Sequence, residues 1–258
     1  YTKGLSDNSV KEHLTEIDIN NTESFLENLQ RIEKDRKQNE IKLKNAYKFY
    51  HEHCDEEKVI NNFQKVFAEY KKVYGTCDFV IHAVAFANRD DLTGDFSNVS
   101  KEGWDLAMGV SAYSLVAISR AAKPLMTEGG SILALTYLGG EKYVPNYNIM
   151  GVAKAALECS VRYLAAEFGE IGVRVNALSA GPVKTLAFKG IAGSDVLLKI
   201  NKVRSPLKRN ITLEDVGSAG LYLASSLSNG VTGETHHVDC GVHAVAISKE
   251  DASHYLNL

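Results

Sequence analysis

Three residues at helical spacing could do chemistry together. In the stretch NYNIMGVAK, residues 146–154, Tyr147 and Lys154 stand seven positions apart with Gly151 between them. At about 3.6 residues per turn this gap is two turns of an α-helix, so both side chains lie on one face, about 10 Å apart along the axis. They can therefore approach the same bound molecule. Gly151 has no side chain, which lets another body lie close to this face.

A tyrosine in this setting can donate a proton or a hydrogen bond to an oxygen that gains negative charge. A phenol has a pKa of about 10 and does so poorly unless a nearby cation favours the phenolate, a role open to Lys154. Tyr137 closes the run ALTY and would leave a strand at the carboxyl edge of a sheet, where ligands bind in open α/β folds. The chain has 12 tyrosines, however, so these two could equally be packing groups with satisfied hydroxyls.

The composition argues against several classes of protein. Apolar residues make up 45% of the 258 residues, charged residues 24%, and the net charge is −3. No apolar run approaches the roughly 18 residues of a membrane-spanning helix, and a weakly acidic chain lacks the basic stripe of a nucleic-acid-binding protein. We therefore expect neither a membrane nor a nucleic-acid partner. The cysteines form no C-x-x-C pair, so neither a metal site nor a disulfide framework is expected: Cys54, Cys77, Cys159 and Cys240.

The first part of the chain differs from the rest. Gly4 is the only glycine before Gly75, and residues 18–45 carry a dense run of alternating charges with apolar residues at helical spacing. This pattern predicts an exposed amphipathic helix, as a surface insertion or a partner-binding segment. Residues 1–14 show no targeting signal, so we expect a cytoplasmic protein, or an organellar one if a targeting segment lies upstream of Tyr1.

From residue 78 onward, strand and helix patterns alternate. The runs DFVIHAVAFA and GSILALTYLG are almost continuously apolar, as expected of parallel strands covered on both faces. Long helical patterns follow each of them, and further strands are predicted in VRVNALSAGP and ETHHVDCG. This alternation predicts an α/β fold, a doubly wound, Rossmann-like parallel sheet flanked by helices, and we expect residues 1–258 to form a single domain.

The same region resembles a known family. The run LTYLGGEKYVPNYNIMGVAKAALECSVRYLAAEFGEIGVRVNALSAGPVKTLAFKGI is similar to the NADH-dependent enoyl-acyl-carrier-protein reductases of type II fatty acid synthesis, which belong to the short-chain dehydrogenase superfamily. The resemblance covers residues 77–247 and includes IHAVAFA, SAGPVKTLA and TLEDVGSAGLYLASSLSNGVTGETHHVDCG in the same order. Most short-chain dehydrogenases use Tyr-x-x-x-Lys, but Met150 stands where that tyrosine would be, which disfavours a ketoacyl reductase.

The resemblance implies the reaction and the residues that perform it. Hydride passes from NADH to a trans-2-enoyl thioester on acyl carrier protein, Tyr147 acts at the thioester carbonyl, and Lys154 holds the nicotinamide ribose. Tyr137 is implied as a second active-site tyrosine that positions the substrate, and the assembly as a homotetramer. The other implied contacts are Asp55, Ala83, Ala85, Gly181, Val183 and Thr185 for the cofactor, and Met150 and Phe188 for the substrate.

The sequence also departs from this family. The family begins with a strand and a glycine-rich loop that binds the pyrophosphate, and no such spacing occurs before Gly75. We therefore expect the first βα unit to be absent, which puts the activity of this chain in doubt. Phe188 stands where the family usually has a small residue, so its ring would narrow the acyl pocket, turn to solvent or contact another subunit. The alternatives are a non-catalytic reductase-like remnant that acts as an oligomerisation or interaction module, and a reductase or isomerase of another enone.

Overall fold

The computed structural model describes residues 56–184 and 194–256. Several predictions fall outside these residues: the helical insertion at 18–45, the acidic residue Asp55, and the loop residues Thr185 and Phe188. The chain divides into two compact units, Tyr1–Val59 and Ile60–Leu258, and the second contains all the side chains discussed below. The prediction of a single domain over residues 1–258 stays a prediction.

The centre of the described fold is a four-stranded parallel sheet. Its strands lie side by side in chain order, β1-β2-β3-β4, and helices lie in the connections between them. The register aligns Ile81 of β1 with Leu133 of β2, and Ser179 of β3 with His237 of β4. The strand bounds are β1 Phe79–His82, β2 Gly130–Thr136, β3 Val173–Ala180 and β4 Thr235–Val238.

Seven α-helices accompany the sheet in the described residues. Two of them, Ser194–Arg204 and Lys249–Leu256, lie in stretches for which the sequence analysis predicted no helix. One helical pattern, residues 102–126, is interrupted by a π-helical turn at Gly109–Tyr113 between α2 and α3. The helix bounds are α1 Glu56–Tyr74, α2 Lys101–Met108, α3 Ser114–Ala122, α4 Asn148–Gly169, α5 Ser194–Arg204, α6 Leu213–Ala224 and α7 Lys249–Leu256.

The side chains of each strand alternate between the two faces of the sheet, so apolar side chains lie on both faces. Helices cover both of these apolar faces. On one face, Ile132 and Val175 pack against Leu115 of α3 and Leu157 of α4, and all four are fully buried. On the other face, Leu133 and Leu178 pack against Leu223 of α6. This two-sided arrangement is the predicted doubly wound α/β fold.

The strand β1 departs from the prediction of a strand covered on both faces. His82 is buried, but Phe79 is 53% exposed and Ile81 is 52% exposed. These two side chains share one face, and the residues that pack beside α6 on that face belong to the strands further along the sheet. The almost continuous apolar run therefore overestimated how far β1 is enclosed.

The ends of α6 show how local sequence fixes a helix. Thr212 precedes the helix, its hydroxyl accepts a hydrogen bond from the Asp215 N–H at 3.2 Å, and the Asp215 carboxylate accepts one from the Thr212 N–H at 2.8 Å. This reciprocal capping box satisfies two N–H groups that the helix leaves unpaired. At the other end, Arg174 of β3 donates hydrogen bonds to the carbonyl oxygens of Leu223 and Ser225. Among the described residues, no helix is long and apolar enough to cross a membrane.

Candidate active site

The loop between β2 and α4 brings two of the predicted residues together. Tyr137 follows β2 in an extended conformation, and Tyr147 occupies the N-cap of α4. The rings of these two tyrosines meet edge to face, with their centroids 5.0 Å apart. Asn146 and Asn148, on either side of Tyr147, have positive φ angles of 59° and 24°, which asparagine tolerates better than most residues. The sharp turn into α4 therefore places Tyr147 beside Tyr137.

Gly151 lets this loop pack directly on α4. A Cβ atom on Gly151 would lie 2.7 Å from the carbonyl oxygen of Gly139, and one on Gly139 would lie 2.4 Å from the Tyr147 ring. Real Cβ atoms do not approach other atoms this closely, so a side chain at either position would displace the loop or the ring. The sequence pattern predicted a body lying close to Gly151, and the structure identifies that body as the backbone of the loop at Gly139.

Burial determines the protonation of Tyr147. The side chain is 8% exposed, and loss of water around it raises the pKa of the phenol, with smaller contributions from Tyr137 and the Glu158 carboxylate. Lys154 is not among the groups that shift the pKa of Tyr147. Burial disfavours the charged phenolate, so in this geometry it opposes the effect that the sequence analysis left open to Lys154. Tyr147 is a neutral hydrogen-bond donor at ordinary pH.

Lys154 is a buried ammonium at the end of β2. It is 6% exposed, and its Nζ atom donates a hydrogen bond to the carbonyl oxygen of Leu135 at 2.7 Å. Burial lowers the pKa of Lys154 to about 8, and the carboxylate of Glu158 acts in the opposite direction. An ammonium has three donors, and the bond to Leu135 is the one hydrogen bond that Lys154 makes among the residues that the structure describes. Lys154 therefore has donors left for a ligand.

Glu158 extends the line of polar residues along α4 by one turn. It lies four residues after Lys154 and is 6% exposed, and its Oε1 atom accepts a hydrogen bond from the Thr136 hydroxyl at 2.5 Å. Burial raises the pKa of Glu158, and the hydrogen bond from Thr136 lowers it. Sequence reasoning missed this residue, although its helical spacing from Lys154 was a signal that could have found it.

His82 is a second buried polar group that the sequence reasoning did not assign. Its Nε2 atom lies 2.7 Å from Ser114 Oγ, and the Ser114 hydroxyl donates to the carbonyl oxygen of Val110 at 2.6 Å. Nε2 is therefore the protonated nitrogen, while Nδ1 is buried and has no hydrogen-bond partner among the described residues. Burial and the neighbouring charge of Lys154 lower the pKa of His82 to about 4, so the ring is neutral at neutral pH.

The loop after β1 contains the predicted cofactor contacts Ala83 and Ala85, and both are exposed. The buried residue Ser111, in the π-helical turn, forms hydrogen bonds with the backbone of this loop at Phe86. Its hydroxyl accepts a hydrogen bond from the Phe86 N–H at 2.9 Å and lies 3.1 Å from the Phe86 carbonyl oxygen. The loop backbone thus remains accessible while one end is fixed.

The other predicted contacts are distributed around this edge of the sheet. Met150 is buried in a cluster with Tyr147 and Ala153, against which Tyr137 packs. Gly181 follows β3 and is buried against Asp239: a Cβ atom there would lie 3.1 Å from the Asp239 Cα atom. Val183 is half-buried. The close approach of Asp239 thus explains why a residue without a side chain fits at position 181, and this explanation requires no ligand.

Three comparisons identify the relatives of this chain. A sequence profile described as enoyl-(acyl carrier protein) reductase matches residues 20–243. Enoyl-acyl-carrier-protein reductase (NADH) 1 of Rhizobium meliloti (strain 1021) is 50% identical over 200 residues, which cover 78% of this chain and 73% of the relative. The corresponding reductase (NADPH) of Staphylococcus aureus (strain MRSA252) is 53% identical over 190 residues, 74% of this chain and 73% of the relative.

A solved structure supports the same assignment. The crystal structure of the enoyl-acyl-carrier-protein reductase from Anaplasma phagocytophilum in complex with NAD superposes with a TM-score of 0.71 at 51% sequence identity. The alignment covers 76% of this chain and 74% of that chain. Because the profile spans most of the chain and the identities are near 50%, this chain belongs to the enoyl-(acyl carrier protein) reductase family.

Proposed function

We propose that this chain reduces the carbon–carbon double bond of trans-2-enoyl thioesters, carried on acyl carrier protein, with NADH in type II fatty acid synthesis. One observation carries the proposal. The half-buried Tyr137, the buried Tyr147 against it and the buried Lys154 lie at the carboxyl end of β2 and the start of α4, in a chain whose relatives are enoyl-acyl-carrier-protein reductases. The carboxyl ends of parallel strands are where such sheets bind ligands.

Tyr147 would stabilise the negative charge that develops on the thioester oxygen during reduction. Its raised pKa keeps the phenol protonated, so it offers a hydrogen bond to that oxygen without first having to gain a proton. A preorganised donor in a water-poor site contributes about 3 to 4 kcal/mol to the transition state. Tyr147 is well suited to this role because burial and the ring of Tyr137 fix its orientation.

Lys154 would hold the ribose hydroxyls of the cofactor. The donor set fits this role, because the ammonium is buried, bonds to one protein carbonyl, and has further donors that a pair of hydroxyls can accept. Ala83, Ala85, Gly181 and Val183 would contribute the remaining described contacts, with Asp55 and Thr185 outside the described residues. When bound, NADH supplies the hydride.

Tyr137, Met150 and Phe188 would line the acyl side of the site. Tyr137 is held by its edge-to-face contact with Tyr147, so a substrate that touches one ring is oriented by both. Burial raises the pKa of Tyr137, with a smaller contribution from the Asp239 carboxylate. Tyr137 therefore also stays neutral and can donate a hydrogen bond to substrate.

The assembly and the compartment belong to the same proposal. We expect a homotetramer in the cytoplasm. Large apolar side chains such as Tyr163 on α4 and Leu221 on α6 are 77% and 67% exposed, and a second copy of the chain would cover such surfaces. Sedimentation analysis of the purified chain tests this: a tetramer is expected, and a stable monomer at micromolar concentration would contradict it.

Turnover of a simple substrate tests the function. The purified chain is mixed with crotonyl thioester and NADH, and the loss of NADH absorbance is followed, with NADPH in a parallel reaction. Saturable turnover that prefers NADH is expected, and a preference for NADPH would overturn the cofactor assignment. If fluorescence titration shows no saturable NADH binding at millimolar cofactor, a non-catalytic interaction module is the better explanation.

A further inference from the structure

The loop between Tyr137 and Tyr147 is bound by residues 237–243, a segment that begins in β4 and continues past its end. Glu141 lies four residues after Tyr137, and its Oε1 atom is 2.6 Å from Nε2 of His237, the third residue of β4. Next to it, Lys142 Nζ donates a hydrogen bond to the carbonyl oxygen of His243 at 2.6 Å. Two neighbouring residues of the tyrosine loop thus reach the same distant segment, about a hundred residues further along the chain.

The contact with His237 continues into a chain of four side chains. The imidazole rings of His237 and His243 are stacked, with centroids 4.1 Å apart and planes inclined by 20°. His243 Nδ1 lies 2.9 Å from Asp239 Oδ1, so its N–H donates a hydrogen bond to this carboxylate. We call these residues, Glu141, His237, His243 and Asp239, the histidine clamp.

Asp239 fixes the far end of the clamp. Its side chain is 4% exposed, and its oxygens also accept hydrogen bonds from the N–H groups of Gly241, at 2.9 Å, and His243, at 2.8 Å. A buried carboxylate with three donors has little freedom to move. Asp239 therefore holds the stacked rings of His237 and His243 in place more firmly than an exposed ion pair would.

The near end of the clamp is part of the turn that positions the tyrosines. The N–H of Glu141 donates to the carbonyl oxygen of Leu138 at 3.0 Å, so the residue belongs to the same turn as Gly139. That turn lies against Gly151 of α4, and a Cβ atom on Gly139 would strike the Tyr147 ring. A displacement of Glu141 is thus transmitted to both tyrosines.

We propose that the histidine clamp positions Tyr137 and Tyr147 for catalysis by holding the turn between them against α4. The proposal rests on the proposed function for its effect on turnover. The four clamp residues are positioning residues, because they act on the tyrosines through the backbone of the turn. A misplacement of about 1 Å in an active site can cost about a hundredfold in rate.

Variants at Glu141 separate positioning from structure. Glu141→Ala removes the contact with His237, whereas Glu141→Gln keeps a side-chain oxygen that can accept the Nε2–H hydrogen bond. Glu167→Ala is the matched control, because Glu167 forms an exposed ion pair with Lys123 at 2.6 Å on the outer side of α4. Amide hydrogen exchange of residues 137–147 is measured without any ligand, and kcat and KM are measured with crotonyl thioester and NADH.

The clamp predicts a specific pattern across these variants. Glu141→Ala should lower kcat about tenfold with KM for NADH unchanged within about twofold, and should speed exchange at Glu141 and Lys142. Glu141→Gln should recover kcat to within about threefold of the wild type. Glu167→Ala should match the wild type in both measurements.

The exchange measurement keeps the clamp distinguishable from the proposed function. If the wild type does not turn over substrate, the proposed function fails, and exchange alone decides whether the clamp holds the turn. Unchanged exchange in Glu141→Ala would overturn the clamp. Faster exchange with an unchanged kcat in an active enzyme would overturn its positioning role.

Discussion

The rings of Tyr137 and Tyr147 meet edge to face, 5.0 Å between centroids, although the two residues are ten positions apart along the chain. The contact closes the loop between β2 and α4, because Tyr137 directly follows the strand and Tyr147 directly precedes the helix. Burial raises the pKa of both phenols. The pair therefore offers two neutral donors on one side of the site.

Replacing Tyr147 tests its role as the donor to the thioester oxygen. Tyr147→Phe keeps the ring and its contact with Tyr137 but removes the hydroxyl. We expect kcat and kcat/KM for crotonyl thioester to fall together by about a hundredfold, because the lost interaction exists only in the transition state. Tyr74→Phe, at the exposed end of α1, is the matched control and should retain wild-type rates. An active Tyr147→Phe would show that another residue is the donor.

Replacing Lys154 tests cofactor binding. Lys154→Met preserves the length of the side chain and its packing while removing the ammonium. We expect the Kd for NADH, measured by fluorescence titration, to rise at least tenfold, since a hydrogen bond from a charged donor contributes about 1.5 to 3 kcal/mol. Lys101→Met removes an exposed lysine paired with Asp105 and should leave the Kd unchanged. Equal affinities in the two variants would exclude Lys154 from the cofactor site.

His82 makes stability depend on pH. Its pKa is about 4 in the folded protein and about 6.5 when unfolded, so between these values the unfolded state binds the proton and the folded state does not. The stability that the neutral His82 ring contributes to the folded protein is fully present above pH 6.5 and is lost as the pH falls towards 4. We expect this loss to lower the free energy of unfolding by about 2 kcal/mol when the pH falls from about 7 to about 4.5.

The comparison with His82→Gln isolates that effect. Glutamine keeps a donor for Ser114 but does not titrate, so the wild type should lose stability more steeply on acidification than the variant. Urea unfolding at several pH values measures the difference. Parallel curves for the two proteins would mean that His82 is not held neutral by burial.

Gly151 tests the close approach of the loop to α4. A Cβ atom there would lie 2.7 Å from a backbone oxygen, which cannot move away as a flexible side chain could. We expect Gly151→Ala to lower the free energy of unfolding by about 2 kcal/mol and to reduce kcat, because the turn and Tyr147 shift together. Gly217→Ala is the control, since a Cβ atom there would meet nothing within 4 Å. This substitution should stabilise α6 by up to about 1 kcal/mol, because alanine favours a helix more than glycine does. Equal effects would refute the contact.

The sequence was sufficient for the elements with strong local patterns. The helix that carries Met150 and Lys154 and the buried strands β2 and β3 were predicted by the spacing of their apolar residues. The family was predicted from the order of its motifs. These features depend on neighbours along the chain, which a single sequence displays directly.

Other features depend on contacts between distant segments, which a single sequence does not display. Glu141 and His237 are 96 positions apart, and neither stands in a motif that signals a partner. The exposure of Phe79 depends on what lies over one face of β1, so its apolar character was misleading. The neutral state of Tyr147 follows from burial, which the spacing of Lys154 could not reveal.

Transfer of a label from the cofactor tests the central claim most directly. Crotonyl thioester is reduced by the purified chain with NADH that carries deuterium at both C4 positions, and the product is analysed by NMR. The account predicts a butyryl thioester with one deuterium at C3, formed about a hundredfold more slowly by Tyr147→Phe. Deuterium at the carbonyl carbon, or a product without deuterium, would contradict it.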